Sequence, residues 1–313
     1  MLRYAAARLV LTLPTLFVVA VLVFVVLRLI PGDPAILVVG ENPRPEVLAQ
    51  VRHEMGLDRP VAVQFAIWLR DVVGLRLGVS LITREPVLET MFSRLGVTAQ
   101  VVLLATALAT LLAVPAGMLA ARSQDRPLDL VIVAASVLCL SVPSFWVGIL
   151  LILVFGVHLA WLPTVGYVSV TEGLARGLPY LVMPVACLVL VQMGSILRMT
   201  RSTTLEALRS EYVTAARAKG LSEGVVLTRH VFRNAFAPTL TLLGMILGSL
   251  LGGAAVIETV FTLPGLGRLL VDSIYARDYP MVQGIVLLVA FTQVLVNLGV
   301  DLVYPVLDPR VRL

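Results

Sequence analysis

Six long apolar runs, at 9–27, 95–121, 130–157, 177–197, 235–257 and 279–300, are separated by polar segments of unequal length. Each matches the roughly 17–25 residues a helix needs to cross the hydrocarbon core of a bilayer. None shows the strict alternation of a lipid-facing strand. Within lipid every backbone N–H and C=O must find an internal partner, so uninterrupted apolar runs become helices. The pattern predicts an all-α integral membrane protein with six transmembrane helices. The first run follows Arg3 and Arg8, as a secretory signal would. It is longer than the roughly 7–15 apolar residues of such a signal, and no small-x-small cleavage site follows it. It is therefore read as a retained helix.

The polar segments give the organisation. Helix one ends at the breaker cluster Pro31-Gly32-Asp33-Pro34. The outer segment 31–94 then carries two amphipathic stretches. Val47, Leu48, Val51 and Met55 share one helical face, and Val61, Phe65, Trp68 and Val72 another. They predict a small helical cap outside the membrane, either a docking surface or a lid packed on the bundle. Segments 158–176 and 258–278 are outer loops, 122–129 is a short inner loop, and 198–234 is the longest inner loop. No internal repeat is visible, so an inverted-repeat secondary transporter gains no support. One membrane domain, 1–313, is the simplest division.

Composition strengthens this picture. The chain is 59% hydrophobic and 14% charged, against about 25% charged in soluble domains; its mean hydropathy is +0.98. Basic residues fix the orientation, because they accumulate on the cytoplasmic side. With the N-terminus inside, Arg3, Arg8, Arg122, Arg126, seven basic residues from Arg198 to Arg233, Arg310 and Arg312 are cytoplasmic. The two short outer loops hold only Arg176, Arg268 and Arg277. The expected location is the cytoplasmic (inner) membrane of a bacterium or archaeon, with both termini inside. The net charge of +5 then reflects topology and an anionic lipid surface, with no call for nucleic acid.

The segment 211–223 concentrates function. Leu205, Leu208, Tyr212, Ala215, Ala216 and Lys219 follow one helical face. Lys219 sits in the last turn, where a cation complements the helix dipole, and Gly220 suits the left-handed position that ends many helices. Ser222 can cap the next helix, with Glu223 in its first turn. The product is helix, tight corner, helix: an exposed surface that a socket on another protein could accept.

Thr214-Ala215-Ala216, three residues and then Gly220 resembles the EAA loop of binding-protein-dependent ABC importer permeases. There Thr214 replaces the motif's Glu, and His230-Val231-Phe232-Arg233 stands where many members have Ile-x-Leu-Pro. The run Ala216–Leu221, with Arg229-His230 and Arg233-Asn234-Ala235, resembles the dipeptide, oligopeptide and nickel branch. So do Pro31-Gly32-Asp33-Pro34, Gly56-Leu57-Asp58-x-Pro60, Leu77-Gly78-Val79-Ser80 and Pro86-Val87. Glu258-Thr259-Val260-Phe261, Pro264-Gly265-Leu266-Gly267, Arg277-Asp278-Tyr279-Pro280, Asn297-Leu298 and Asp308-Pro309-Arg310 continue the series. The resemblance covers nearly the whole chain and implies the first of two permease subunits with the type I importer fold. It implies a second permease, two ATPase subunits and an extracytoplasmic substrate-binding protein as partners. The ATPase-coupling residues would be Tyr212, Thr214, Ala215, Ala216, Lys219, Gly220, Leu221, Ser222 and Glu223. The cargo would be a di- or oligopeptide, with nickel or glutathione as alternatives.

A phosphate-binding loop needs Gly-Lys-Ser/Thr, and the chain's single lysine, Lys219, precedes glycine. Catalysis is therefore not expected here, and ATP and Mg would belong to the partner ATPases. Gly244, Gly248 and Gly252 form a small-xxx-small stripe that admits a close neighbour, either within the bundle or at a moving or subunit interface. Gln293, Asn297 and Asp301 share a face of the last helix, where polar groups serve as internal hydrogen bonds or line a wet path. Glu258 either fixes an outer loop or meets the delivery protein. Cys139 and Cys187 lie in spans, and His53, His158 and His230 are scattered without metal-ligand spacing. A self-contained channel or secondary transporter would leave the 211–223 corner unexplained. An intramembrane enzyme would need a partner base for Ser141, Ser144 or Ser195, which the sequence does not offer.

Overall fold

The computed structural model describes residues 2–29, 34–39 and 44–307. Pro31-Gly32-Asp33, Asp308-Pro309-Arg310 and Arg312 lie outside the described residues, as do the side chains of Arg3 and Arg8. Along the chain run α1 (Leu2–Leu29), α2 (Pro34–Val39), α3 (Pro45–Glu54), α4 (Val61–Val73), α5 (Val87–Arg122), α6 (Pro127–Ser141) and α7 (Ser144–Leu151). They are followed by α8 (Leu174–Leu208), α9 (Glu211–Ala218), α10 (Glu223–Val225), α11 (Phe232–Val260), α12 (Leu266–Tyr275) and α13 (Tyr279–Leu307). No strand occurs among the described residues beyond a single bridge, Val79 to Pro86.

All six apolar runs are helical. The stretches Val87–Arg122, Leu174–Leu208, Glu223–Ser249 and Tyr279–Val303 are each long and apolar enough to cross a membrane. The apolar part of α1, Val10–Val26, is shorter. The run 130–157, expected as one straight span, is instead broken. The arms Pro127–Ser141 and Ser144–His158 meet at 97°. Pro143 supplies no N–H, and its ring drives the preceding residue out of the helical region; Val142 accordingly has φ −96° and ψ 126°.

The centre of the bundle is the contact of α5 with α8. Ala105, Ala109 and Ala113 are fully buried on one stripe of α5. One turn further on, a β-carbon at Gly117 would stand 2.8 Å from the Leu197 carbonyl oxygen and 2.9 Å from Thr200 Cβ. Small residues four apart let the two backbones approach closely, which maximises dispersion contact where lipid offers no hydrophobic drive. Leu181, Met183, Cys187, Leu188 and Ile196 of α8 complete this core with Leu243, Ile257 and Leu263. The Cys187 thiol donates to the Ser144 carbonyl at 3.1 Å, tying the second arm of the broken pair to α8.

The outer segment packs on the bundle through α4. Phe65 lies edge-on to Phe17 and Phe24 of α1, with centroids 6.1 and 5.1 Å apart, and Trp68 is 5.4 Å from Phe24. The Trp68 indole N–H donates to Gln283 Oε1 of α13 at 3.1 Å. Phe65, Trp68 and Val72 are partly covered, whereas Val61 is exposed. In α3, Leu48 and Val51 are partly covered and Val47 and Met55 exposed. A tight hairpin follows. The Ser80 N–H donates to the Glu85 carbonyl at 2.9 Å and the Val87 N–H to that of Gly78 at 3.1 Å. This hairpin is latched to the start of α13: the Ser80 hydroxyl and the Leu81 N–H both donate to the buried Asp278 carboxyl group.

Candidate functional site

The corner at 211–223 is built from the backbone outward. At the end of α9 the Gly220 N–H donates to the Arg217 carbonyl at 2.9 Å, and the Leu221 N–H reaches that of Ala216 at 3.4 Å. This pair of bonds is the Schellman arrangement, which satisfies the last helical carbonyls and requires a left-handed residue. Gly220 fills it with φ +79°. A β-carbon there would meet nothing within 4 Å, so backbone conformation, not space, selects glycine. Beneath the corner, Val213 and Ala216 pack with Ala207, Val226, Leu227, Val231 and Ala235. Arg217 and Glu223 close the corner from outside by two hydrogen bonds, at 2.7 and 3.2 Å. The neighbouring carboxylate holds the Arg217 guanidinium above its ordinary value.

Tyr212, Thr214, Ala215, Lys219, Gly220, Leu221 and Ser222 are exposed together on this corner. Two details depart from the sequence reading. Ala216 faces the apolar cluster, 5% exposed, and so anchors the corner instead of presenting it. The expected single apolar stripe divides accordingly, with Tyr212, Ala215 and Lys219 outward and Leu205, Leu208 and Ala216 turned inward. Ser222 occupies the cap position of α10 with extended backbone, but its hydroxyl makes no cap bond. Its carbonyl accepts the Val226 N–H at 3.0 Å instead.

The two polar and glycine stripes of the later helices belong to one contact. A β-carbon at Gly244 would meet Val300, and one at Gly248 would collide with the Gln293 amide. Gln293 donates to Asn297 Oδ1 at 3.0 Å along the same face of α13. Gly244 and Gly248 therefore serve packing between α11 and α13 of this chain; the packing of Gly252 lies outside the described residues. Asp301 follows on α13, half-buried.

Glu258, fully buried at the C-terminal end of α11, fixes the 258–278 loop. One carboxyl oxygen accepts the Thr98 hydroxyl at 2.5 Å and the other the Arg268 N–H at 2.8 Å. Thr98 in turn accepts the Leu266 N–H at 2.8 Å. Both backbone donors, the Leu266 and Arg268 N–H groups, belong to the first turn of α12, whose N–H groups lack intrahelical partners. Gly265 is glycine because a side chain there would occupy the space of the Glu258 carboxyl group.

One pair was not singled out from sequence. Asp129, 2% exposed at the start of α6, accepts Arg201 of α8 through both oxygens, at 2.6 and 2.7 Å. The signal available was a carboxylate, Asp129, at the entry to one apolar run and an arginine, Arg201, just past the end of another.

The profile of the binding-protein-dependent transport system inner membrane component matches residues 113–313, and that of the N-terminal part of such membrane components matches residues 1–102. An inferred peptide transport system permease of Brucella abortus is 43% identical over 300 residues, covering 96% of each chain. The dipeptide transport system permease protein DppB of Alkalihalophilus pseudofirmus is 36% identical, with full coverage of both chains. The glutathione transport system permease protein GsiC of Escherichia coli is 39% identical over 100% of this chain and 99% of its own. With several apolar helices, an exposed corner at 211–223 and a match over almost its whole length, this chain belongs to the family of membrane-spanning permease components of binding-protein-dependent ABC transport systems.

Proposed function

We propose that this chain is one of two permease subunits of an ATP-driven importer of di- or oligopeptides, with the corner around Gly220 as its contact with an ATPase. The observation that carries the reading is the corner itself. A rigid Schellman turn stands on a buried apolar cluster and presents Tyr212, Thr214, Ala215, Lys219, Leu221 and Ser222 outward. The peptide and dipeptide permeases among its relatives support the cargo. The glutathione permease at 39% identity supports a γ-linked tripeptide as the second reading.

In this reading a second, similar permease completes the pathway. Two ATPase subunits hold ATP and Mg, and a binding protein delivers cargo outside. The chain acts as a single membrane domain in the cytoplasmic membrane, with both termini inside. Closure of the ATPases on ATP draws the corners together and shifts the pathway between inward-open and outward-open states. Such a shift requires the ATPase to contact the two states differently. The chain itself hydrolyses nothing.

Co-purification of the tagged chain in mild detergent tests the assembly. Recovery of an ATPase and a second permease is expected; recovery of the chain alone, where a control importer stays intact, overturns it. Gly220→Val tests the corner. A β-branched residue at φ +79° is strained, so uptake per ATP is expected to collapse while insertion persists. Normal uptake by that variant would remove the corner from the mechanism.

A further inference from the structure

The corner is not a free lever. It is strung between α8 and α11, and the inner end of α8 is tied on two sides. Toward α11, the Thr203 hydroxyl donates to the Ala235 carbonyl at 2.8 Å. Toward the first turn of α6, Arg201 grips Asp129 with its Nε at 2.6 Å and one terminal nitrogen at 2.7 Å. This is the fork-to-fork geometry in which an arginine–carboxylate pair fixes orientation as well as distance. Asp129 is 2% exposed and also accepts the Asp125 N–H at 3.1 Å, at a turn where Asp125 takes φ +61°. The carboxylate is thus covered by the helix contact, while the Arg201 side chain that partners it is 25% exposed. On the far side of the same junction, Met118 of α5 packs on the apolar cluster under the corner. Gly117 brings α5 against Thr200 and Arg201.

We propose that Asp129 and Arg201 form a strut through which movement of the Gly220 corner reaches α6, and so the arm that meets its partner at 97° across Val142-Pro143. Two features of the pair carry this. It is a polar tie between α6 and the helix that leads into the corner, and it is bidentate on a buried carboxylate, so it resists both sliding and rotation. Cores and packed interfaces change by switching between discrete arrangements, and a fork-to-fork pair compels α6 to switch together with α8. Asp129 and Arg201 are positioning residues in this scheme; neither meets cargo or nucleotide. The inference rests on the coupling role proposed above for the corner.

The test uses the assembled transporter in lipid nanodiscs, in a background with Cys139 and Cys187 replaced. Spin labels at Leu138 of α6 and Val256 of α11, both exposed, report the distance between these helices before and after trapping with ATP and vanadate. The unsubstituted pair is expected to show a trapped-state distance change. Asp129→Asn is expected to lose most of that change while vanadate trapping on the ATPase persists. Arg201→Lys, which keeps the charge but not the fork, is expected to retain part of it. Should Asp129→Asn fail to insert, Arg201→Lys decides alone: an undiminished change overturns the strut. Gly220→Val is the control for the underlying reading. If Gly220→Val abolishes the change and the Asp129 and Arg201 variants leave it intact, the strut is wrong and the corner stands. If all three leave it intact, the coupling role of the corner falls as well.

Discussion

Glu258 and Arg268 are ten residues apart, and the carboxyl group of the first accepts the backbone N–H of the second at 2.8 Å. The side chain of one helix thus caps the first turn of the next, with Thr98 of α5 completing the seal. A buried donor left without its acceptor costs about 1–3 kcal/mol. Glu258→Ala strands both the Thr98 hydroxyl and the Arg268 N–H, so about 2–6 kcal/mol is expected as the sum of two such losses. Glu258→Gln keeps one acceptor oxygen and is expected to cost about half as much. Thermal unfolding in detergent, with limited proteolysis of the 258–278 loop, checks this. Equal stability of Glu258→Ala and the parent would show that α12 is held by other contacts.

Two helix glycines that look alike in sequence should respond differently to alanine. At Gly117 the new methyl meets backbone: the Leu197 carbonyl oxygen at 2.8 Å. Backbone in a packed helix pair cannot yield locally, and overpacking of this kind costs about 1–3 kcal/mol or more. At Gly248 the methyl meets the far end of Gln293, which can swing away at the expense of its bond to Asn297, about 0.5–1.5 kcal/mol. Gly117→Ala is expected to be clearly the more damaging in a detergent melt. The double variant Gly248→Ala with Gln293→Ala is expected to remove the clash. Reversed order of the two single variants would mean that α11 and α13 form the tighter seam.

These two glycines also show how far sequence reasoning reaches. The apolar runs and the glycine stop at Gly220 are local properties, set by transfer energy and by φ, and they are legible from composition and order. The stripe at Gly244 and Gly248 was visible for the same reason. The equivalent stripe Ala105, Ala109, Ala113 and Gly117 is just as regular, but alanine is common in any helix, so the spacing did not stand out. The break at Val142-Pro143 is a miss: the run 130–157 reads as one span by length and hydropathy, although Pro143 inside it disfavours a straight helix. Yet Pro115, Pro179, Pro184 and Pro238 sit inside continuous helices, and only tertiary packing decides between these outcomes. Asp129 with Arg201, 72 residues apart, and Ser80 with Asp278, 198 apart, are pairings between distant segments. A single sequence supplies the residues but not the pairing. The motif segments at 77–80 and 277–280 were each recognised, without any sign that one latches the other.

That latch gives the next prediction. Asp278 is 3% exposed and accepts both the Ser80 hydroxyl and the Leu81 N–H, the latter at 3.1 Å. Asp278→Asn keeps one acceptor oxygen, whereas Asp278→Ala frees the hairpin at 78–87. A loss of about 1–3 kcal/mol is expected for the alanine variant, together with faster cleavage within 81–85 by an added protease. Unchanged cleavage would mean that the hairpin is held by its own backbone bonds and by Val87, which is fully buried.

Magnitudes also decide what holds the inner corner together. Arg217 and Glu223 make two hydrogen bonds, but their side chains are 42% and 40% exposed. Water and salt screen such a pair, and its contribution is about 0–1 kcal/mol. Val213 is fully buried beneath it. Removing two methyl groups there costs about 1.6 kcal/mol in transfer, with a cavity term added. Val213→Ala is therefore expected to loosen the corner more than Glu223→Gln does. Hydrogen exchange read at the Gly220 and Leu221 amides, both inside the Schellman bonds, distinguishes the two. Protection should fall markedly in Val213→Ala and little in Glu223→Gln, with the small effect of Glu223→Gln mimicked by high salt in the parent. The opposite ranking would make the ion pair the clasp of the corner, and its strength would then have to come from burial by a docked partner.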